Sequence, residues 1–179
     1  MSLKTSSYNA PARLLHWLMA GLILLMLFIG VFMVSISTEE RQVLIGMHKT
    51  IGIMILVLGV TRILWRLASP PPPSPASEPR WRRLVAEATH LAFYALILSM
   101  PLVGWAMQSA GGYPVAIFGG VHLPPLVPPN GELHAALRLV HRIGAYLFYG
   151  LFLLHLSAAL YHAFVLEDGT LRRMLFNRS

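Results

Sequence analysis

One apolar run near the end of the chain carries four histidines and constrains the fold more than any other feature. The run covers residues 134–164 and reads HAALRLVHRIGAYLFYGLFLLHLSAALYHAF. It is long enough to cross a bilayer as a single helix. Because ionisable side chains are costly inside hydrocarbon, those found there usually have a function. The histidines of this run are therefore candidate site residues.

Helical periodicity places these histidines at defined heights. His141 and His155 are fourteen residues apart, which is close to four helical turns, so both imidazoles project from one face at heights that differ by roughly 21 Å. The hydrocarbon core of a bilayer is about 30 Å thick, so one imidazole lies near each membrane surface. His162 continues the same stripe. The spacing predicts two stacked sites within the membrane.

Composition identifies a membrane protein and restricts its metal chemistry. Hydrophobic residues make up 56% of the chain and charged residues only 12%, which differs from the average of soluble domains. The chain has no cysteine, which excludes disulfides, iron–sulfur clusters, thiolate zinc sites and covalently attached haem c. Histidine must therefore supply any metal ligands.

Three further apolar runs precede this one and predict an all-α fold, a single four-helix transmembrane bundle over residues 1–179. The spans are expected at about 14–36, 43–65, 88–108 and 137–166. The first run is too long for a secretory signal and lacks a cleavage site, so it should remain in the mature protein. Pro101 should kink the third span without ending it.

The two longer connections differ in character. ASPPPPSPASEPRWRR, between spans two and three, is predicted to be a solvated loop because its prolines cannot continue a helix. Residues 109–133 contain enough glycine and proline to break any regular element. We expect this segment to lie on the end of the bundle, with an aromatic residue such as Tyr113 or Phe118 at the interface.

The basic residues predict the orientation of the chain in the membrane. Four spans put both termini on one side, and that side would hold ten of the fourteen basic residues: Lys4, Arg13, Arg62, Arg66, Arg80, Arg82, Arg83, Arg172, Arg173 and Arg178. The other side would hold Arg41, Lys49, Arg138 and Arg142. Both termini should therefore be cytoplasmic. We attribute the formal charge of +7 to residues that set the membrane orientation and contact lipid, rather than to nucleic-acid binding, since the sequence indicates no soluble module.

This topology pairs the histidines by height. His48 of span two and His141 of span four both lie near the periplasmic surface. His16 of span one and His155 of span four both lie towards the cytoplasmic surface. The other pairings would join groups near opposite surfaces. We therefore predict the pairs His48–His141 and His16–His155.

An iron porphyrin suits two histidines on facing helices, because it is a flat, mostly apolar disc that takes one imidazole on each axial position. Zinc would normally need three or four protein ligands, and no carboxylate or thiol accompanies either pair. The prediction is two b haems, the iron of each bound by one pair. With both axial positions occupied, electron transfer is expected rather than oxygen binding. A single membrane histidine can also merely hydrogen-bond a carbonyl, and a proton relay would not explain the matched heights.

Glycines and arginines near these histidines have two interpretations each. Gly46, Gly52 and Gly144 either admit a flat ring or serve helix packing. Four arginines either pair haem propionates or extend their charges to the interface: Arg13, Arg62, Arg138 and Arg142. The methionines are interpreted as packing residues rather than ligands.

Nearly the whole chain resembles the bacterial cytochrome b561 family of four-span, di-haem b proteins. The resemblance is carried by RLLHW in span one, by GMHKTIGI and TRILWRL in span two, by HLAFYALILSMPLVGW in span three and by LVHRIGAYLFYGLFLLH in span four. It implies that His16, His48, His141 and His155 are the haem ligands. This agrees with the pairing by height.

The resemblance also implies superoxide oxidase activity, in which superoxide is oxidised on the periplasmic side and ubiquinone is reduced on the cytoplasmic side. Lys49, Arg138 and Arg142 would attract the small anion, and His162 could hydrogen-bond or protonate a quinone oxygen. Lys49 could equally extend to the interface, and His162 could be a satisfied interfacial histidine. His90 could line the quinone cleft or pair a propionate, although a structural role is favoured, and solvated roles are expected for His122 and His134.

Two alternatives to an enzyme remain open. The chain could be the electron-transfer subunit of a hydrogenase or other dehydrogenase, docked through its periplasmic face on a partner. It could also be a metal or proton transporter, which the absence of carboxylates within the spans disfavours.

Overall fold

The computed structural model describes residues 7–36, 39–73, 79–117 and 120–175. Lys4, Phe118 and Arg178, which entered the predictions above, lie outside these ranges. The described elements are the helices α1 (Ala10–Ser35), α2 (Glu40–Ala68), α3 (Arg80–Ala110) and α4 (Gly131–Phe164), the strands β1 (Val115–Ile117) and β2 (Val121–Leu123) between α3 and α4, and a final 3-10 helix (Leu171–Met174).

The four long helices confirm the predicted all-α transmembrane bundle. Their most apolar windows have mean hydropathies of 2.7, 2.0, 1.5 and 1.7, and each helix is long enough to cross a membrane. Large apolar side chains cover the outside of the bundle, among them Leu91 and Tyr146, each 71% exposed, and Phe164, 76% exposed. Soluble monomers rarely expose apolar surface on this scale. Such a surface is suited to contact with lipid.

All four helices begin earlier than the apolar runs indicated, by three to eight residues, and α3 and α4 differ most. α3 starts at Arg80, directly after Pro79, so the last residues of the predicted loop are helical and that part of the prediction was wrong. α4 starts at Gly131, where the Asn130 side chain accepts a hydrogen bond from the Leu133 amide at 2.9 Å. Hydropathy misses such polar first turns. α3 continues through Pro101, as predicted, and ends at Ala110, two residues beyond the predicted span.

A short hairpin occupies the connection between α3 and α4, where no regular element was expected. β1 and β2 are antiparallel, with Val115 opposite Leu123 and Ile117 opposite Val121. The prediction was wrong because the glycines and prolines of this segment lie beside its β-branched residues rather than among them. The hairpin is fastened to α3, since the Trp105 indole donates to the Pro124 carbonyl at 2.9 Å.

The core consists of one stripe from each of the first two helices and single residues from the others. Met19, Ile23 and Leu27 of α1 are buried at intervals of four residues, and Ile51, Ile55 and Gly59 of α2 repeat this spacing. Such intervals define one face of a helix. Ile29 of α1, Ile97 of α3 and Phe148 of α4 complete the buried cluster.

The helices pack in chain order, α1 on α2, α2 on α3 and α3 on α4. At mid-height the Tyr149 hydroxyl of α4 donates to the Leu27 carbonyl of α1. At one end of the bundle the Tyr8 amide donates to the Arg173 carbonyl at 3.2 Å, so both ends of the described chain lie together. We call this the terminus side and the opposite end the hairpin side.

Gly59 gives a test of the packing between α2 and α3. A Cβ atom at this position would lie 2.5 Å from the Ile97 Cγ2 atom. Because overpacking a core contact costs about 1–3 kcal/mol, we expect Gly59→Ala to lower the midpoint of thermal denaturation in detergent by about 5 °C.

Gly21→Ala is the matched control, since nothing lies within 4 Å of a Cβ atom there. Equal midpoints for the two variants would contradict the packing described.

Candidate functional site

Two histidines from different helices face each other on the hairpin side. The ring centroids of His48 on α2 and His141 on α4 are 6.1 Å apart, and their planes are inclined at 69°. The buried Nδ1 atom of His48 has no hydrogen-bond partner among the described residues, and that of His141 makes no well-formed bond, although the Met100 backbone is close to it. We call these residues the hairpin-side pair. Buried polar atoms of this kind are rare in folded proteins.

A second pair lies on the terminus side. The ring centroids of His16 on α1 and His155 on α4 are 6.3 Å apart, with planes inclined at 72°. We call these residues the terminus-side pair. The structure thus brings together the partners that matching by height had predicted.

The spacing within each pair fits a metal held between two imidazoles. A ligating imidazole nitrogen lies about 2 Å from its metal and about 1 Å from the centre of its own ring, so ring centres on opposite sides of one metal are about 6 Å apart. The observed centroid distances of 6.1 and 6.3 Å agree. Because α1 and α2 pack mainly on each other and α4 packs mainly on α3, each pair bridges helices that are not packing neighbours. A flat porphyrin suits such a position.

Two glycines border the hairpin-side pair. A Cβ atom at Gly30 of α1 would lie 3.9 Å from the Cε1 atom of His48, which is an ordinary contact. A Cβ atom at Gly104 of α3 would lie 3.2 Å from the Cε1 atom of His141, which is a tight contact. Gly144, predicted either to admit a ring or to serve packing, faces the Met100 side chain closely. Gly52 faces Met26 at 3.6 Å, and a Cβ atom at Gly46 would meet open space. Gly104 escaped prediction because α3 carries no ligand of this pair.

The terminus-side pair has a third imidazole beside it. The His90 ring of α3 is 6.2 Å from that of His155, and the Phe93 ring, one turn along α3, is 5.3 Å from it. Phe93 also contacts Phe148 at 5.8 Å. Since Phe148 is seven residues from both His141 and His155, an aromatic cluster separates the two levels.

Cationic side chains adjoin the hairpin-side pair. Lys49 follows His48 directly, and its ammonium group donates to the Pro114 carbonyl at 3.1 Å, so its charge is held at the base of the hairpin. Arg138 and Arg142 are exposed and line a shallow groove on α4 together with His134. Anions are attracted to such an arrangement.

Two histidines near the hairpin were expected to be solvated. His122 is exposed on β2. The expectation for His134 was wrong, because its half-buried ring hydrogen-bonds through Nδ1 with the Met107 carbonyl at 2.8 Å and so joins the start of α4 to the end of α3.

Two of the predicted arginines lie on the terminus side. The Arg13 guanidinium donates to the Leu175 carbonyl at 2.8 Å. Arg62 donates to the Tyr94 hydroxyl at 3.4 Å and lies near both imidazoles of the terminus-side pair. Arg62 is thus placed to neutralise an acidic group bound beside that pair.

His162 has a carboxylate partner that was not predicted. Its Nδ1 atom is 2.5 Å from the Asp168 Oδ2 atom, and the Asp168 Oδ1 atom accepts from the Thr170 amide at 2.9 Å. Partial burial would raise the pKa of Asp168, but the hydrogen bonds from Thr170 and His162 outweigh it and lower that pKa. The turn signal of Asp168 followed by Gly169 marked a helix end, yet it did not show that the chain turns back onto His162.

Comparisons with known proteins agree with this architecture. The family model described as prokaryotic cytochrome b561 matches residues 7–177. "Cytochrome b561 homolog 2" of Escherichia coli (strain K12) is 34% identical over 171 residues, which are 94% of this chain and 90% of the relative. "Probable superoxide oxidase CybB" of Yersinia pestis is 33% identical over 163 residues, which are 90% and 91% of the two chains.

Gly104 tests the geometry of the hairpin-side pair. We expect Gly104→Val to displace the His141 ring and reduce haem retention by about half, because a larger side chain would occupy space beside that ring. The absorption spectrum of the purified variant, normalised to protein, measures this.

Gly150→Val on α4 is the control, since its Cβ atom would meet open space. If both variants retain haem equally, Gly104 does not shape the site.

Proposed function

Because this chain belongs to the prokaryotic cytochrome b561 family, it is a multi-pass bacterial membrane protein of electron transfer with haem b, and we propose that it oxidises superoxide and reduces ubiquinone. The observation that carries the proposal is the presence of two imidazole pairs, one on each side of the bundle, with centroid distances of 6.1 and 6.3 Å. Two sites at different depths suit electron transfer across a membrane.

The proposed ligands are the two histidine pairs. His48 and His141 would hold one haem, and His16 and His155 the other. When bound, haem b supplies reversible one-electron transfer, and two imidazoles leave no open position on its iron. Arg62 would neutralise a propionate on the terminus side, with Arg13 nearby. Arg138 and Arg142 are available for the same purpose on the hairpin side.

The charge distribution supports an orientation with both termini in the cytoplasm. Eight described basic residues belong to the terminus side: Arg13, Arg62, Arg66, Arg80, Arg82, Arg83, Arg172 and Arg173. Four belong to the hairpin side: Arg41, Lys49, Arg138 and Arg142. By the positive-inside rule, the hairpin side faces the periplasm.

On the periplasmic side, the chain's own contribution is to attract an anion. Lys49 holds its charge beside His48, and Arg138 and Arg142 extend theirs from neighbouring turns of α4. Superoxide carries one negative charge, so this surface would raise its local concentration. The name of the Yersinia pestis relative supports superoxide as the donor.

On the cytoplasmic side, the chain's own contribution is to handle protons. Reduction of one ubiquinone to ubiquinol takes two electrons from two superoxide ions, which leave as two oxygen molecules, and two protons from the cytoplasm. His162 lies seven residues beyond His155 on α4, so it would lie beside a quinone at the terminus-side pair. There it could donate a hydrogen bond or a proton to a quinone oxygen.

The proposal predicts a reaction of the purified protein alone. Haem-loaded protein in detergent should reduce added ubiquinone when superoxide is supplied. Replacing the three periplasmic cations by Lys49→Gln, Arg138→Gln and Arg142→Gln should lower kcat/KM for superoxide about tenfold and weaken its salt dependence, because electrostatic attraction of the anion would be lost.

The matched control removes three cations from the other side, by Arg80→Gln, Arg82→Gln and Arg83→Gln, and should leave kcat/KM unchanged. Inactive wild-type protein whose quinone reduction returns with a copurifying subunit would instead support the electron-transfer subunit of a dehydrogenase.

The proposed pairing predicts which haem each variant loses. His48→Ala and His141→Ala should remove the same haem, and His16→Ala and His155→Ala should remove the other, because each iron would lose one of its two ligands. Redox titration followed by absorption distinguishes the haems by their potentials. Loss of different haems from His48→Ala and His141→Ala would refute the assignment.

A further inference from the structure

The segment after α4 turns back so that Asp168 meets a histidine of the last helical turn. Glu167 adopts a positive φ of 48° and Gly169 one of 76°, which reverse the chain within a few residues. The reversal brings the Asp168 Oδ2 atom to 2.5 Å from the His162 Nδ1 atom. A non-glycine residue with positive φ is uncommon, so this turn is a specific conformation.

Both oxygens of the Asp168 carboxylate are engaged. Oδ1 accepts from the Thr170 amide at 2.9 Å, which fixes the carboxylate at the start of the 3-10 helix. Oδ2 remains for His162. An ionised carboxylate only accepts hydrogen bonds, so the proton of this contact belongs to His162 Nδ1. The other ring nitrogen, Nε2, has no partner among the described residues.

We propose that Asp168 is a positioning residue that keeps His162 able to donate a proton from Nε2 to a ubiquinone oxygen. The inference rests on the proposed quinone reduction and assigns to it a residue that the sequence did not indicate. A carboxylate bonded to Nδ1 orients the ring and keeps Nδ1 as the donor of that contact. The contact would therefore hold Nε2 in one direction, where it could meet a quinone oxygen.

The proton and electron balance is simple. A quinone carbonyl oxygen that accepts a proton from His162 Nε2 becomes a hydroxyl once the quinone has received its electrons. His162 then regains a proton from water at the exposed cytoplasmic end. Asp168 stays ionised throughout, since its hydrogen bonds hold its pKa below the usual value. The electrons come from the donor of the proposed function.

The charged and titratable groups around the pair are few. Tyr161 contacts the His162 ring at 6.3 Å, and Glu167 precedes Asp168 in the turn. The 3-10 helix that packs on α4 carries Arg172 and Arg173. On the side of α1, the Arg13 guanidinium bonds to the Leu175 carbonyl. The carboxylate of Asp168 is the one that bonds to His162 among the described residues.

The segment around the 3-10 helix also forms hydrogen bonds with α1 and with the residues that follow α2. The Trp17 indole donates to the Met174 carbonyl at 2.8 Å, and Arg173 donates to the Pro73 carbonyl at 2.9 Å. Asp168 could therefore serve only to hold this segment in place. Loss of such a structural role would lower the haem content and the midpoint of thermal denaturation together with the rate of quinone reduction, whereas loss of the positioning role would lower the rate alone.

The experiment measures haem reoxidation directly, without superoxide. Fully haem-loaded protein is reduced chemically and mixed with a short-chain ubiquinone over a range of concentrations in a stopped-flow instrument. With Asp168→Asn we expect the saturating rate of haem reoxidation to fall about tenfold, while the quinone concentration that gives half of this rate changes less than about twofold, because the His162 ring loses the contact that orients its Nε2 atom. The haem content and the midpoint of thermal denaturation should match those of wild type.

Glu167→Gln is the matched control, since it removes the same charge one residue away and should preserve the wild-type rate. Asp168→Glu should restore part of the rate. In a His162→Gln background, Asp168→Asn should have no further effect if the two residues act together.

The outcomes separate the inference from the function on which it rests. If reduced wild-type protein is not reoxidised by quinone, the proposed function and this inference both fail. If wild-type protein reacts and Asp168→Asn matches Glu167→Gln, or loses haem and thermal stability in step with its rate, the inference alone fails.

Discussion

The structure depends on a pair of imidazoles meeting across the bundle at each of two depths. α4 contributes one histidine to each pair, and the interval of fourteen residues between His141 and His155 puts both on one helical face. α2 supplies His48 and α1 supplies His16, because antiparallel helices enter the membrane from opposite sides. Phe148 occupies the level between them. Helical geometry alone thus lets one histidine-bearing span contribute to two imidazole pairs at different depths.

The two ends of the bundle differ chemically, and this difference gives the proposed path a direction. On the hairpin side, Lys49, Arg138 and Arg142 place positive charge on one surface, and no carboxylate among the described residues pairs with them. On the terminus side, Asp168 pairs with His162, and backbone hydrogen bonds fasten the final segment over α1. The first end suits attraction of a small anion, and the second suits delivery of protons. Superoxide oxidation coupled to quinone reduction requires both.

Much of this arrangement could be predicted from the sequence, because membrane helices are long, apolar and strictly periodic. Height alone paired His16 with His155 and His48 with His141. Contacts made after a chain reversal could not be predicted, since they depend on backbone angles that no periodicity reveals. The return of Asp168 onto His162 is one example, and the bond from His134 to the Met107 carbonyl is another. Gly104 escaped notice because its neighbour His141 lies on a different helix.

The number of haems per chain tests the central claim most directly. Protein expressed with ample haem and purified in detergent can be assayed for haem b by its reduced absorption spectrum and for protein by amino-acid analysis. Two imidazole pairs predict two haems b per chain, both with the spectrum of iron bound by two histidines. A single haem per chain, or a colourless protein, would contradict the account.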